Sequence, residues 1–521
     1  MLPNVSLSES QREIVELDGN VIVQAGAGTG KTHTLVSKII YDIDRQRSHK
    51  VIAAITFTIK AAKEIRERLN VSRGDLFAGT NNSFVIEEII QPFMKDVYGD
   101  DYNVKMSTDY SVKILSYDEG IRMVKEDHLL CTYKDNKYNF IFQLALAIVK
   151  QSAACQLYLK AKYFKIYVDE YQDCDVDMHT FFMYLCDVLE IELFVVGDER
   201  QSIYIWRGAN PELFTSIRNK SNFTHRVLYE NFRSCRQIQN YSYLLFRETS
   251  ELYNPVPDVS PIIVICVRRE NCAHSLLRHI KSDQSCALIR RTNIQAESSA
   301  EAMTSLGMEF VYVPHPPIAD ISTDSSWLYN AIAKSFVIPE YSAYDFSYDI
   351  PNEASGNKTT VNHIRSFLSQ MGKYLQDRKR DDFVQIVEQM AGYFGYEAKQ
   401  EHCIMLYDTI VKEEYHAAFR ADRLQRPAMT VHSSKGLEFE QVIIFLSDFN
   451  YVDDQDIYNH YVAVTRAKTK LIMVYFKCET DSESRAQDLI NILERSHVEM
   501  RDVATIENVA NASGHAHISR A

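Results

Sequence analysis

The stretch Asn20–Ile40, NVIVQAGAGTGKTHTLVSKII, decides the fold. Val21 to Val23 are apolar and β-branched, which reads as a buried strand. Ala25, Gly26, Ala27, Gly28, Thr29 and Gly30 follow, small and conformationally permissive. From Lys31 onward, Leu35, Val36, Ile39 and Ile40 recur at helical spacing. A strand that breaks into a glycine-rich loop and re-enters a helix is the setting of a phosphate-binding loop. Backbone N–H groups of such a loop converge on phosphate oxygens, and the helix N-terminus adds a favourable dipole. Lys31 can reach the outer phosphates of ATP, and the Thr32 hydroxyl is placed for Mg²⁺. Ala25 stands where the strict pattern has its first glycine. A glycine-rich loop alone could be a plain tight turn. Gly30-Lys31-Thr32 with both flanks in order favours the phosphate reading.

The second informative stretch is Lys162–Asp177, KYFKIYVDEYQDCDVD. An apolar run, Ile166-Tyr167-Val168, stops abruptly in acid. Carboxylates this close repel, and a buried one needs a positive partner to stay ionised. Mg²⁺ on a nucleoside triphosphate supplies that charge. Asp169, at the strand end, is expected to hold the metal through water. Glu170 is expected to orient or deprotonate the attacking water. Asp173 is expected to make contacts across the site. Asp175 and Asp177 read as solvated acids at a helix start or in a loop.

A third stretch, Leu193–Pro211, LFVVGDERQSIYIWRGANP, begins as another buried strand. Gln201 falls where a strand-end loop could touch a γ-phosphate. Tyr204, Trp206 and Arg207 mix aromatic and basic character, which suits stacking on bases and holding phosphates of a single strand. A core tryptophan under a loop is the competing reading. Further on, LYENFRS carries Arg233, ALIRRTN carries Arg290 and Arg291, MTVHSSKGLEFEQVIIF carries His432, Gly436 and Glu438, and HYVAVTRAKTKLIMVYF carries Arg466. One such arginine is usually a surface charge. Several, each beside a buried-strand signal, point to a second α/β lobe that faces the nucleotide.

In their order, these segments resemble those of superfamily 1 helicases of the UvrD/Rep family. LSESQREIV resembles the Q motif, AGAGTGKT motif I and AITFTIKAAKEIRERL motif Ia. VDEYQD resembles motif II, VGDERQSIYIWRGA motif III and LYENFRS motif IV. VHSSKGLEF resembles motif V, and YVAVTRAK motif VI. The resemblance implies an α/β fold of two RecA-like P-loop lobes, parallel sheets flanked by helices, each with a mostly helical insertion. It implies an ATP hydrolase that travels 3′ to 5′ on DNA. Gln11 would read adenine, and Arg233 and Arg466 would reach the γ-phosphate from the second lobe. Glu438 would contact the ribose with Gly436 beside it, and Arg290 or Arg291 would lie near the triphosphate. Phe57, Thr58, Lys60, Tyr204, Trp206, Arg207 and His432 would contact single-stranded DNA. Phe57 could equally be core, Lys60 part of a solvated helix face, and His432 a loop cap. Departures touch the DNA motifs. Thr58-Ile59-Lys60 stands for Thr-Asn-Lys, Asn81 and Asn82 for an aromatic and a histidine, and Glu199-Arg200 for two acids.

Lys31 and Asp169 must meet although far apart in sequence, so the chain between them contains an insertion. The expected organisation is lobe 1A over residues 1–83 and 157–231, insertion 1B over 84–156, lobe 2A over 232–318 and 426–500, insertion 2B over 319–425, and a C-terminal tail over 501–521. In that tail, His515 and His517 read as solvated rather than metal-binding. Both insertions are short for the family. In this the chain resembles the helicase-like subunits of Gabija anti-phage systems, which implies an OLD-type nuclease subunit as partner and DNA ends or junctions as substrate. A rival reading is a DNA-end-sensing ATPase and scaffold that switches a nuclease without processive unwinding.

Composition fits such an enzyme. The chain has 521 residues, too many for a single core. Its net charge of -13 argues against coating nucleic acid by bulk charge, but allows a local basic groove. The ten cysteines show no metal-binding spacing, so free thiols are expected. No run approaches a membrane helix, and MLPNVSLSESQ lacks a basic end followed by an apolar core. A cytoplasmic protein is expected.

Overall fold

In the computed structural model, residues 7–57, 59–69, 76–351 and 357–509 are described. They fall into two units, one of Met1–Glu230 with His315–Phe419 and one of Asn231–Pro314 with Arg420–Ala521.

The first unit is built on strands β1 (Val21–Ala25), β2 (Val51–Thr56), β3 (Leu76–Thr80), β6 (Tyr163–Val168), β7 (Glu192–Gly197) and β8 (Thr224–Leu228). Between β3 and β6 lies a separate pair, β4 (Ser107–Ile114) and β5 (Leu129–Tyr133). The main sheet runs β3-β2-β6-β7-β1-β8, with every neighbour parallel. Side chains alternate between its faces. Ile22, Ile55, Ile166, Val168 and Val195 enter one core. Val21, Val23, Ala54, Tyr167 and Phe194 enter the other, under the helices α1 (Glu9–Glu16), α2 (Lys31–Arg45) and α3 (Ile59–Leu69). Burial on both faces explains why the central strands β1, β2, β6 and β7 are largely apolar. Because β6, β7 and β1 are neighbours, their carboxyl ends bring the glycine-rich loop, Asp169-Glu170 and Gly197-Asp198 to one edge, where ligands of such sheets bind.

Residues 84–156 are mostly helical, as expected, with one strand pair that the sequence reading did not include. Helices Tyr117–Asp127 and Phe140–Gln151 are present, but β4 and β5 pair in parallel beside them. Both strands are short, and β4 carries Ser, Thr, Asp and Lys, so neither shows a clear apolar period. Phe84, Phe140, Phe142, Phe181 and Phe182 continue the core of the sheet into this region.

The segment expected as insertion 2B is helical, around a core in which Trp327 packs edge-on against Phe346, Phe394 and Tyr396. It belongs with the first unit. Asp109 and Thr323 form an antiparallel bridge, Tyr110 N donates to Ser322 O at 2.9 Å, and Lys105 Nζ donates to Gly395 O at 2.7 Å. The buried Asp109 carboxylate pairs with Lys399.

The second unit holds β9 (Ile262–Val267), β10 (Cys286–Arg290), β11 (Val311–Tyr312), β12 (Pro427–Thr430), β13 (Phe439–Phe445), β14 (Ala467–Phe476) and β15 (Thr505–Asn508). Its sheet is parallel throughout, ordered β11-β12-β10-β13-β14-β9-β15. Ile265, Leu288, Ile443, Phe445, Ile472 and Val474 lie in one core. The expected tail from 501 is corrected in part, since β15 adds to the sheet with Ile506 opposite Val264. Its sequence, TIEN, is short and polar because it forms an outer edge. His515 and His517 lie outside the described residues, as does Thr58. The ten cysteines are free thiols, eight of them buried. Among the described residues no single helix is long and apolar enough to cross a membrane.

Candidate nucleotide and single-strand sites

In the first unit, β1 ends at the buried Ala25 and the loop reaches α2 through Gly28 and Gly30, at φ +76° and +79°. Gly30 is required twice. Its backbone is left-handed, and a Cβ there would lie 2.8 Å from Gln11 Nε2. Gln11 is buried on α1. Its amide donates to Thr29 O at 3.2 Å and accepts from Ser8 N at 3.0 Å, so it props the loop as well as capping its helix. Lys31 opens α2, and its Nζ meets Glu170 Oε2 at 3.2 Å. Thr32, half-buried, follows in the same turn.

Asp169 is buried at the end of β6. Its N–H donates to Ile55 O at 3.0 Å, and its Oδ1 accepts from Glu170 N at 2.9 Å. Glu170 sits at φ +50°, strained for a residue with a side chain, which turns its carboxylate toward Lys31. The two expected metal residues, Thr32 and Asp169, are few for a cation. No group of three or more ligating side chains occurs among the described residues.

Asp175 and Asp177 stand at a helix start, as expected, but Asp175 is not solvated. Asp175 is buried, caps the helix Val176–Asp187 through Met178 N at 2.8 Å, and accepts from Asn139 Nδ2 at 2.8 Å. Burial pushes its carboxyl above the usual range. Asp177 accepts from Asn139 N at 2.7 Å and from Gln143 Nε2 at 3.1 Å. Both acids tie the start of that helix to the insertion, Asp175 buried and Asp177 half-buried.

Beyond β7 the loop folds on itself. Buried Asp198 accepts from Arg200 Nε at 2.6 Å and from Gln201 Nε2 at 2.7 Å. Glu199 accepts from Gln24 Nε2 and Arg218 Nη2, each at 2.6 Å, while burial and the neighbouring Asp198 raise its pKa. Trp206 is 52% exposed, which removes the core reading. The Arg207 guanidinium lies 4.5 Å from the Trp206 ring centre and 5.7 Å from that of Tyr204. Asn136, from the insertion, donates to Trp206 O at 3.3 Å. A Cβ on Gly208, at φ +95°, would come within 2.2 Å of Asn136 O. Phe57 is half-buried against the core of the sheet, and the Lys60 side chain is outside the described residues.

The second unit holds its arginines tightly. Arg233 Nε meets Glu438 Oε2 at 2.8 Å, and its Nη1 donates to Thr465 O at 3.2 Å. Lys468 takes the other Glu438 oxygen at 2.8 Å. Partial burial raises the Glu438 pKa, but Lys468 and Arg233 outweigh it and hold the carboxyl below the usual range. Arg466 is 2% exposed and donates to Val462 O, Leu437 O and Thr465 Oγ1. Arg290 is buried, paired with Asp448 at 2.6 and 3.0 Å and stacked 3.8 Å from the Phe445 ring centre. Arg291 meets Asp456 and donates to Asp448 O at 3.2 Å. His432, half-buried, sits in the turn Val431–Ser434, and Gly436 follows at φ +83°.

Several partners were not read from the sequence. Gln172, Asn136 and Asp448 are single polar residues whose contacts come from distant segments. Phe232, 57% exposed next to Arg233, carried a readable signal, an aromatic inside a polar motif loop.

Comparison with known proteins matches this arrangement. The UvrD/REP helicase N-terminal domain matches residues 7–136 and 125–222, and the UvrD-like helicase C-terminal domain matches residues 427–474. The chain is 39% identical to Gabija protein GajB of Bacillus cereus (strain VD045), over 89% of this chain and 94% of that one. It is 24% identical to ATP-dependent DNA helicase Rep of Buchnera aphidicola, over 90% of this chain and 95% of that one. It is 26% identical to DNA helicase II of Escherichia coli (strain K12), over 58% of this chain and 51% of that one. With its glycine-rich loop, acidic strand end and arginine-bearing second sheet, the chain belongs to the UvrD/Rep helicase family of ATP-hydrolysing enzymes.

Proposed function

We propose that this chain is an ATP-driven motor on single-stranded DNA that moves 3′ to 5′. Its setting is anti-phage defence in the cytoplasm, beside an OLD-type nuclease subunit. The observation that carries the motor reading is the meeting of Lys31 and Glu170 at the carboxyl ends of β1 and β6, on one sheet with the exposed Trp206–Arg207 pair. The defence setting and the nuclease partner rest on the likeness to Gabija protein GajB.

Thr32 and Asp169 would hold Mg²⁺, which when bound offsets phosphate charge. Loop N–H groups and Lys31 bind the phosphates. Glu170, the base candidate, takes a proton from the attacking water or orients it. Gln201 senses the γ-phosphate from the loop after β7. Arg233 and Arg466 supply positive charge from the second lobe, with Gly436 and Glu438 toward the ribose and Gln11 toward adenine. An arginine delivered in this way is worth on the order of 10³ to 10⁵ in rate. Closure then reports ATP, and hydrolysis reopens the cleft. Phe57, Thr58, Lys60, Tyr204, Trp206, Arg207 and His432 grip the strand in alternation. Arg290 and Arg291, tied to Asp448 and Asp456, brace the second sheet near the triphosphate.

The test is ATP hydrolysis and strand displacement by the purified chain on duplexes with defined 3′ or 5′ single-stranded ends, alone and with a candidate nuclease. Unwinding from 3′ tails supports the motor. ATP hydrolysis stimulated by DNA but without displacement favours the end sensor that switches a nuclease. No stimulation by DNA would refute both.

A further inference from the structure

Motif II contains one neutral amide among its acids, Gln172. It is 0% exposed. A buried amide is costly unless both ends are satisfied, and here each end goes to a different functional segment. Its Nε2 donates to Glu170 Oε2 at 2.5 Å, the same oxygen that faces Lys31. Its Oε1 accepts from Asp198 N at 3.0 Å, the first peptide after β7. Its backbone O accepts from Ser202 Oγ at 3.1 Å.

Two further observations show that this placement is built in. Gly197 approaches so closely that a Cβ there would lie 2.5 Å from Gln172 Oε1, so the last residue of β7 must be glycine for the amide to fit. The far end of the same loop is also anchored to motif II, through Asn210 N to Cys174 O at 3.0 Å. The loop 198–210 thus hangs from the segment 172–174 at both ends, and its middle presents Trp206 and Arg207 to solvent.

We propose that Gln172 is a positioning residue that couples the single-strand platform at Tyr204–Arg207 to Glu170. Its one amide fixes the carboxylate and rides on the loop that binds the strand. Strand binding that shifts Asp198 or Ser202 moves Gln172, and with it the Glu170 oxygen between Lys31 and the water to be activated. This rests on the reading of Glu170 as base and of Trp206 and Arg207 as strand contacts.

The experiment compares wild type, Gln172→Leu and Gln172→Glu for ATP turnover at neutral pH with and without saturating oligo(dT), for KM of ATP, and for oligo(dT) affinity. Gln172→Glu keeps the volume and an acceptor for Asp198 N–H, but it replaces the donor to Glu170 with a second buried carboxylate. Loss of one charge-assisted bond predicts a roughly ten- to hundredfold fall in DNA-saturated kcat for both variants. KM for ATP and oligo(dT) affinity should stay within about threefold, since neither ligand touches Gln172. Near-wild-type turnover in either folded variant would overturn the proposal, because both lose the donor to Glu170. If Gln172→Leu does not fold, Gln172→Met, unbranched, of similar volume and without added charge, takes its place. Wild type showing no stimulation by DNA would instead overturn the motor reading, and the coupling with it.

Discussion

Replacing Trp206 with alanine isolates the strand-binding claim from folding and from nucleotide chemistry. The ring is 52% exposed, and its carbonyl, not its side chain, accepts from Asn136. The loop therefore keeps its anchor, and the fold should change by no more than about 0.5 kcal/mol. The exposed ring carries Arg207 at 4.5 Å. One base stacked on an aromatic contributes about 1–3 kcal/mol, so affinity should fall by about five- to 150-fold. Fluorescence anisotropy with labelled oligo(dT) at several salt concentrations reads this directly. Stacking releases no counterions, so Trp206→Ala should leave the salt slope unchanged. Arg207→Ala should lower that slope by about 0.7 if it neutralises one phosphate. Oligo(dT) affinity within twofold of wild type in a folded Trp206→Ala protein would refute the assignment.

Three further outcomes follow from the geometry. Asp448→Ala leaves the Arg290 guanidinium buried without its carboxylate, and breaking a buried pair costs about 3–5 kcal/mol, so the second unit's melting transition should fall clearly below that of wild type. Gly208→Ala combines a left-handed backbone with a clash against Asn136 O, and a loss of about 1–3 kcal/mol should appear in the first unit's transition. His460 is buried with both ring nitrogens on Tyr241 and Tyr451 hydroxyls, and burial lowers its pKa to about 3. The unfolded chain takes up this proton below about 6.5 and the folded chain does not until far lower. Stability is therefore full above that range and falls as pH drops, by about 2 kcal/mol at pH 5. His460→Gln should show a correspondingly flatter dependence in denaturant melts between pH 7.5 and 5.

The central strands of the two sheets were legible because they are buried on both faces. Val21–Val23, Ile166–Val168 and the run from Leu193 all read as apolar runs and all are strands. Strands without that burial were not legible. β4 alternates weakly, and β15 is a polar edge. Adjacency across long sequence gaps was legible only through chemistry. An acidic strand end needs a cation, and Lys31 does meet Glu170. What local pattern cannot carry is which polar residue holds which. Asp175 looked solvated because acids usually are, yet Asn139, 36 positions earlier, takes it into the interior. Arg290 looked like one more cation at a strand end, yet Asp448, 158 positions later, pairs with it. The association of residues 315–419 with the first unit depends on single contacts such as Lys399 with Asp109, which leave no periodic trace.

The proposed requirement for Arg466 in hydrolysis is tested by oligo(dT)-stimulated ATP turnover of Arg466→Ala beside wild type, with ATP binding measured on the same samples. Turnover should fall at least about a thousandfold with ATP still bound through the Lys31 loop. Turnover within a few-fold of wild type in a folded Arg466→Ala protein would contradict it.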